Sequence, residues 1–434
     1  MLVDGEHYPP VLRAAIDHLP TLLPGADVVG AVLLGGGEKL AGVLDLGVPV
    51  VDGVAAGLAQ FRPDLVFDLS DEPVLDARSR LRLASHVLLA GVPYQGADFR
   101  LDPPPRPRVA TKPTVAVIGT GKRTGKTAIS AHLARVLAAD GRPPVVVAMG
   151  RGGPPEPELI DPAAFDLSPR GLVGLAASGR HAASDHLEDA LMAGVVTVGT
   201  RRCGGGLAGA PVDSTFVAGV ELANGRPERL LVLEGSGAAV PPVHADATVC
   251  VVPATTDPEL VTGYLGAYRL LLADLVVVTM AEGSAKGGPN ESIRSVAPGT
   301  RVVRTVLRPT PLEPIAGRSV FYVTTAPPAA GDVLVEHLEA EHGAKVVGVS
   351  HNLARRPELV ADLENTQGAE VLLVELKAAA VDLVARLALE RDVDVVFCDN
   401  RVVTTGGDGT FEELVLETAT LAEERFAQVS GVQP

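Results

Sequence analysis

The segment Thr114-Val-Ala-Val-Ile-Gly-Thr-Gly-Lys-Arg-Thr-Gly-Lys-Thr-Ala-Ile-Ser-Ala-His-Leu-Ala-Arg-Val-Leu137 restricts the fold more than any other part of this chain. An apolar strand runs into a glycine-rich turn. Apolar residues at Ile129, Leu133, Val136 and Leu137 then mark one face of a helix, which Gly141 and Pro143 stop. Phosphate chemistry needs this layout, because the N–H groups of the turn and the positive helix end point at phosphate oxygens while glycines allow close approach. Residues Gly119, Thr120, Gly121, Lys122, Arg123, Thr124, Gly125, Lys126, Thr127 and Ala128 are therefore expected around a nucleotide triphosphate. Lys126 would reach its β- and γ-phosphates and the Thr127 hydroxyl would ligate Mg²⁺. The strict spacing G-x-x-x-x-G-K-[ST] asks for glycine at 120, where this chain has Thr flanked by Gly119 and Gly121. A plain turn before an amphipathic helix is the bland alternative.

Short Val/Leu/Ile runs alternate with helical segments along the rest of the chain, the pattern of a parallel α/β protein. Continuous apolar runs such as Val145–Val147, Leu230–Leu233, Leu275–Val278 and Val393–Val396 fit strands covered on both faces. The prolines at 103, 104, 105 and 107 set off an N-terminal Rossmann-like α/β domain, residues 1–105. Its expected strands are Leu2–Val3, Val28–Leu34, Leu65–Leu69 and His86–Leu89, and it is a candidate for substrate binding or closure. A nucleotide-binding domain is expected over 110–315, and an α/β region over 316–434 that is either a separate domain or an extension of the preceding sheet.

With 53 acidic against 37 basic side chains, net charge -16, the chain is no general binder of nucleic-acid phosphates. It has no Trp, only 3% aromatic residues and no apolar run near the roughly 20 residues of a spanning helix. Asp4 and Glu6 are unlike a secretory signal, and Cys203, Cys250 and Cys398 form neither a disulfide framework nor a metal pair, so a cytoplasmic protein is expected.

The spacing Gly-Thr-x-x-x-x-Gly-Lys-Thr resembles the phosphate loop of dethiobiotin synthetase and its relatives, which share a parallel-stranded P-loop fold. These also carry a Glu-Gly-x-Gly turn after a later strand, supplied here by Glu234-Gly-Ser-Gly237. A carboxylate at a buried strand end beside the phosphate loop suits a Mg²⁺ ligand or a water-orienting group; an ordinary turn glutamate is the alternative. The whole chain resembles the cyclic 2,3-diphosphoglycerate synthetase family, on Val3-Asp-Gly-Glu-His-Tyr-Pro-Pro10, the loop Val117–Thr127, Ala148-Met-Gly-Arg-Gly-Gly-Pro154, Leu233–Gly237 and Thr324-Thr-Ala-Pro327.

The resemblance implies an ATP-dependent ligase that closes a phosphoanhydride between the two phosphates of 2,3-diphosphoglycerate, releasing ADP and phosphate. A homodimer acting without nucleic acid or membrane is expected. Such a polyanion needs local cations in an acidic protein, and Arg151, Arg201 and Arg202 lead the candidates, with Lys122, Arg123 and Lys286 behind them. With Lys126 and Glu234 these arginines form the expected catalytic set; for any single one, a solvated loop charge is the alternative. Asp4, Glu6, His7, Gly35–Gly37 and Asp68 follow strands of the N-terminal domain and would line one carboxyl edge, or merely shape a turn. Asp161, after Glu156 and Glu158, is either a second Mg²⁺ ligand or part of an exposed acidic loop. A ligase or kinase of the dethiobiotin type acting on another small acid, and a nucleotide-gated binding protein, remain as rival functions.

Overall fold

The computed structural model describes residues 1–36, 44–180, 184–282, 289–377 and 380–431, and the chain divides into two compact units. The first unit holds residues 1–105 with 256–272 and 291–299; the second holds the remainder.

In the first unit, strands β1 (Leu2–Val3), β2 (Ala31–Leu33) and β3 (Val50–Asp52) are parallel and adjacent in that order. Strands β4 (Val66–Phe67) and β5 (Tyr94–Gln95) are parallel, and β6 (Arg100–Leu101) runs antiparallel to β5. A parallel bridge from Leu2 to Asp68 joins the two ribbons, so the order is β3-β2-β1-β4-β5-β6, with the change of winding direction between β1 and β4. Leu12 and Ile16 of the helix Pro9–Leu22 bury against Val3, Ala31 and Leu46. One sequence expectation needs correction here: His86–Leu89 is the end of a helix, Ala77–Leu89, not a strand. The Asp76 carboxylate caps this helix by accepting the Ser79 N–H (2.7 Å), and Ala84, Val87 and Leu88 are buried at helical spacing. The strand that follows is β5.

The second unit is built on one sheet of 13 strands. They are β7 (Thr114–Gly119), β8 (Pro144–Gly150), β9 (Glu158–Ile160), β10 (Thr197–Cys203), β11 (Asp213–Ser214), β12 (Leu230–Glu234), β13 (Ala247–Pro253), β14 (Leu275–Thr279), β15 (Arg301–Pro311), β16 (Ser319–Val323), β17 (Lys345–Ser350), β18 (Val371–Glu375) and β19 (Asp394–Gly407). The order is β11-β10-β8-β12-β7-β13-β14-β15-β19-β18-β16-β17, with β9 beside β10. Strands β10 through β15 form one parallel block, and β19 through β17 form another. Every residue of β7, β12, β14 and β18 is buried, which explains their unbroken apolar sequences.

The blocks are welded by β15 and β19, which are antiparallel. Gly119 is level with Val251, Val277 and Val303, whereas Glu375 is level with Cys398 and Pro311, eight residues further along β15, or roughly 25 Å at ~3.3 Å per residue. Because the strand direction reverses across the weld, the carboxyl ends of the two blocks are directed toward one another. The helix Phe411–Ser430, opened by a capping box of Thr410 and Glu413, packs on the helix Lys126–Ala139 and on β7 and β13. Among the described residues no helix is long and apolar enough to cross a membrane.

Candidate nucleotide and phosphate site

The buried strand β7 delivers the chain to a loop that folds back over its own end. Thr120 N–H donates to Val251 O (3.2 Å) of β13, and the Thr279 hydroxyl of β14 donates to Thr124 O (2.7 Å), so the next two strands on that side anchor the loop. Arg123 (φ +61°) and Gly125 (φ +83°) adopt left-handed backbone just before the helix Lys126–Ala139. Gly119 is required by proximity: a Cβ there would lie 2.9 Å from Thr124 Oγ1 and 3.6 Å from both Lys126 Cδ and Gly237 O. Lys126, Thr127 and Ala128 open the helix half-buried, while Lys122 and Arg123 are exposed at the rim.

Glu234 ends β12, between Val117 of β7 and Ala148 of β8. It is only 2% exposed, and Oε2 has no hydrogen-bond partner among the described residues. Burial pushes its carboxyl above the usual range, opposed by contacts with Asp189, Lys126 and the Thr127 hydroxyl. Asp189, on the helix Asp185–Ala193, is wholly buried against Glu234, and neither of its oxygens meets a donor among the described residues. Burial first, and the Glu234 charge next, push Asp189 well above the usual carboxylate value. Orphaned carboxylate oxygens beside a threonine hydroxyl at a phosphate loop are the hard donors Mg²⁺ takes, so the residues present fit that ion. No three acidic, histidine or cysteine side chains among the described residues form a closed metal cage, so phosphate oxygens and water would fill the remaining positions.

The register of β8 and β10 pairs Arg201 with Gly150, which sets Arg202 level with Arg151. Alternation along β10 turns Arg201 outward and Arg202 inward. Arg202 is buried at 9% exposure; its guanidinium donates to Ser236 O (2.7 Å) and Gly204 O (2.6 Å), and its Nε has no partner among the described residues. Burial, and then the Arg151 charge beside it, lower the Arg202 pKa. Gly237 (φ +59°) lies under both: a Cβ there would be 2.9 Å from Arg151 Nη2 and 3.4 Å from Arg202 Nη2. The structure thus brings Arg151 and Arg202 to the Glu234–Gly237 turn, which itself touches the phosphate loop. Two adjacent guanidiniums, one of them buried, form a local concentration of positive charge beside the loop. Arg201 is not part of this pair; its backbone N–H donates to the Thr215 hydroxyl (3.1 Å).

Other residues singled out from the sequence have local structural work. Asp161 closes a turn by accepting the Ala163 N–H (3.0 Å), Glu156 is exposed, and Glu158 pairs with Arg180 and with His186 (3.5 Å). In the first unit Asp4 Oδ1 accepts the N–H groups of Glu6 (2.9 Å) and His7 (3.1 Å) and meets His7 Nδ1 (2.8 Å), while Oδ2 accepts the Asp71 N–H (2.7 Å). Burial opposes its charge, but these donors hold Asp4 below the usual carboxylate range. Asp68, at the end of β4, accepts from Ser70, Arg80 and Tyr94. Gly35 and Gly36 form the turn after β2, and Gly36 packs on the backbone of Gly5 and Glu6. Gly37 and Lys286 lie outside the described residues. Sequence reasoning missed Asp185, Glu188 and Asp189; the available signal was a nine-residue helix with both its acidic and its apolar residues in need of burial.

Three family models match the chain: the N-terminal domain of cyclic 2,3-diphosphoglycerate synthetase over residues 1–102, its P-loop domain over 114–306 and its C-terminal domain over 311–401. The cyclic 2,3-diphosphoglycerate synthetase of Rubrobacter xylanophilus is 48% identical over 424 residues, covering 95% of this chain and 96% of its own. Those of Thermococcus gammatolerans and Methanothermus fervidus are 47% and 41% identical, covering 95% and 98% of this chain and 95% and 97% of their own. A solved structure of a DUF1611 family protein from Anabaena variabilis covers 83% of this chain and 96% of its own at 14% identity, but its TM-score of 0.19 carries no argument.

Proposed function

The chain belongs to the cyclic 2,3-diphosphoglycerate synthetase family, and from that premise we propose that it is an ATP-dependent ligase closing a phosphoanhydride ring on 2,3-diphosphoglycerate, with release of ADP and phosphate. The observation that carries the reading is the meeting, at one carboxyl edge, of the phosphate loop, the buried Glu234 and the Arg151–Arg202 pair. In the proposed sequence an oxygen of one substrate phosphate attacks the γ-phosphorus of ATP and ADP leaves. An oxygen of the neighbouring phosphate then attacks the inner phosphorus of that diphosphate and expels inorganic phosphate, closing the ring.

Lys126 and the loop N–H groups hold the nucleotide phosphates, and Arg151 and Arg202 gather the substrate phosphates against self-repulsion. Thr127 and Glu234 would hold Mg²⁺, which supplies charge neutralisation when bound. Phosphoryl transfer depends on positioning more than on a strong base, and the buried, pre-set donors supply it. A cytoplasmic setting is part of the proposal. A homodimer is part of the proposal, and the molar mass in solution tests it.

Purified protein with Mg-ATP and 2,3-diphosphoglycerate is expected to release phosphate and to give a cyclic product without a free phosphomonoester signal in phosphorus NMR. Lys126→Ala is expected to abolish turnover with an unchanged melting temperature. Linear products, or normal turnover by that variant, would refute the assignment.

A further inference from the structure

Only one buried acidic side chain in the helix Asp185–Ala193 has a cationic partner recorded among the described residues: Glu188, whose carboxylate accepts from the Lys377 ammonium. The partners are 189 residues apart in sequence and belong to opposite blocks of the sheet, Lys377 coming two residues after β18. The pair spans the two carboxyl edges that the β15–β19 weld turns toward each other.

Glu188 immediately precedes Asp189, which faces Glu234, which in turn touches Thr127 and Lys126. The first turn of this helix carries Asp185 and Glu188, and Asp189 follows directly, facing Glu234 beside the nucleotide loop. Burial pushes Glu188 up to about 7, and Lys377 opposes that rise. An acidic helix face packed against another carboxylate has an electrostatic tendency to move away. Arg135 holds the far end of the helix through Met192 O (2.6 Å), and among the described residues the cation in hydrogen-bond contact with its acidic face is Lys377, from the C-terminal block.

We propose that Lys377 is a positioning residue for the nucleotide site, acting through Glu188 to hold the helix Asp185–Ala193, and with it Asp189, against Glu234. The C-terminal block thereby completes a site to which it contributes no phosphate loop. This inference rests on the ligase reading, and wild-type protein that yields no cyclic product would sink that reading separately.

The test compares Lys377→Met, Lys377→Arg, Glu188→Gln and the double variant Glu188→Gln/Lys377→Met. Steady-state rates are measured with both substrates, and affinity for a non-hydrolysable ATP analogue by calorimetry with Mg²⁺. Lys377→Met is expected to lower kcat roughly tenfold while the KM for 2,3-diphosphoglycerate stays within about twofold. Its calorimetric analogue affinity should fall in Mg²⁺ and be unchanged in EDTA, a pattern that a loss of general stability would not produce. Lys377→Arg should keep most of the rate. The double variant should regain most of it, because a buried amide needs no counter-charge. If Lys377→Met fails to fold, Glu188→Gln alone carries the test, with kcat expected to drop as the ammonium loses its anchor. Unchanged kcat in Lys377→Met or in Glu188→Gln, or a folded double variant no faster than Lys377→Met, overturns the proposal.

Discussion

Lowering the pH should loosen the grip between the phosphate-loop helix and the C-terminal strand through His132. Its Nδ1 accepts the Val402 N–H (3.1 Å), and the ring stacks edge-on against Phe411. Burial, then the charges of Arg135 and Arg401, lower its pKa from 6.5 to about 4. An acceptor nitrogen cannot be protonated without losing its bond, so the folded state resists the proton that the unfolded chain takes readily. The contribution is fully present above pH 6.5 and is lost as pH falls toward 4. About 2.5 pKa units at ~1.4 kcal/mol each amount to about 3.5 kcal/mol, and the largest slope is ~1.4 kcal/mol per pH unit.

The buried carboxylates Glu188, Asp189 and Glu234 have raised pKa values and act with opposite sign, favouring the folded state at low pH. A difference between variants is therefore more informative than the wild-type curve alone. His132→Asn keeps an acceptor near the position of Nδ1 and removes the titration. Urea midpoints at pH 7.5, 6.5, 5.5 and 4.5 should converge for the two proteins at the acid end, or cross, and separate above pH 6.5. Parallel midpoints over the whole range would refute the reasoning.

Arg202→Ala is expected to raise the KM for 2,3-diphosphoglycerate by roughly tenfold or more, with a smaller effect on ATP, because it removes a buried charged donor; Arg201→Ala, on the opposite face, should change it far less, and steady-state kinetics on the pair would expose an equal effect. Gly153→Ala would put a Cβ 2.0 Å from Thr200 O, so the turn after β8 must shift at a cost on the order of 2 kcal/mol, visible as a lowered urea midpoint.

The strand, glycine loop and helix from Thr114 to Leu137 were legible because each part is specified locally, by apolar continuity, turn residues and helical spacing. Glu234 was legible for the same reason, lying at the end of an unbroken apolar strand. His86–Leu89 was misread because Val-Leu-Leu suits either element, and the Asp76 cap lies ten residues upstream. The separation of Arg201 from Arg202 follows from strand alternation once β10 is placed, and the meeting of Arg202 with Arg151 requires the register of two strands far apart in sequence. Asp189 was invisible for a different reason. An acidic residue in a short helix normally faces water, and only the packing of this helix on β8, β10 and the helix Lys126–Ala139 buries this one.

The long pairing of β15 with β19 bears on how the protein can be cut for study. Ending the chain near Pro311 would strip β15 of its partner over nine residue pairs and leave an eleven-residue strand with a naked row of amides and carbonyls. The same cut would remove the helix Phe411–Ser430 and bare the apolar flank of the phosphate-loop helix. A fragment carrying the nucleotide loop alone should therefore precipitate or pair with itself, although the family boundary at 306–311 looks in sequence like a place to divide the chain.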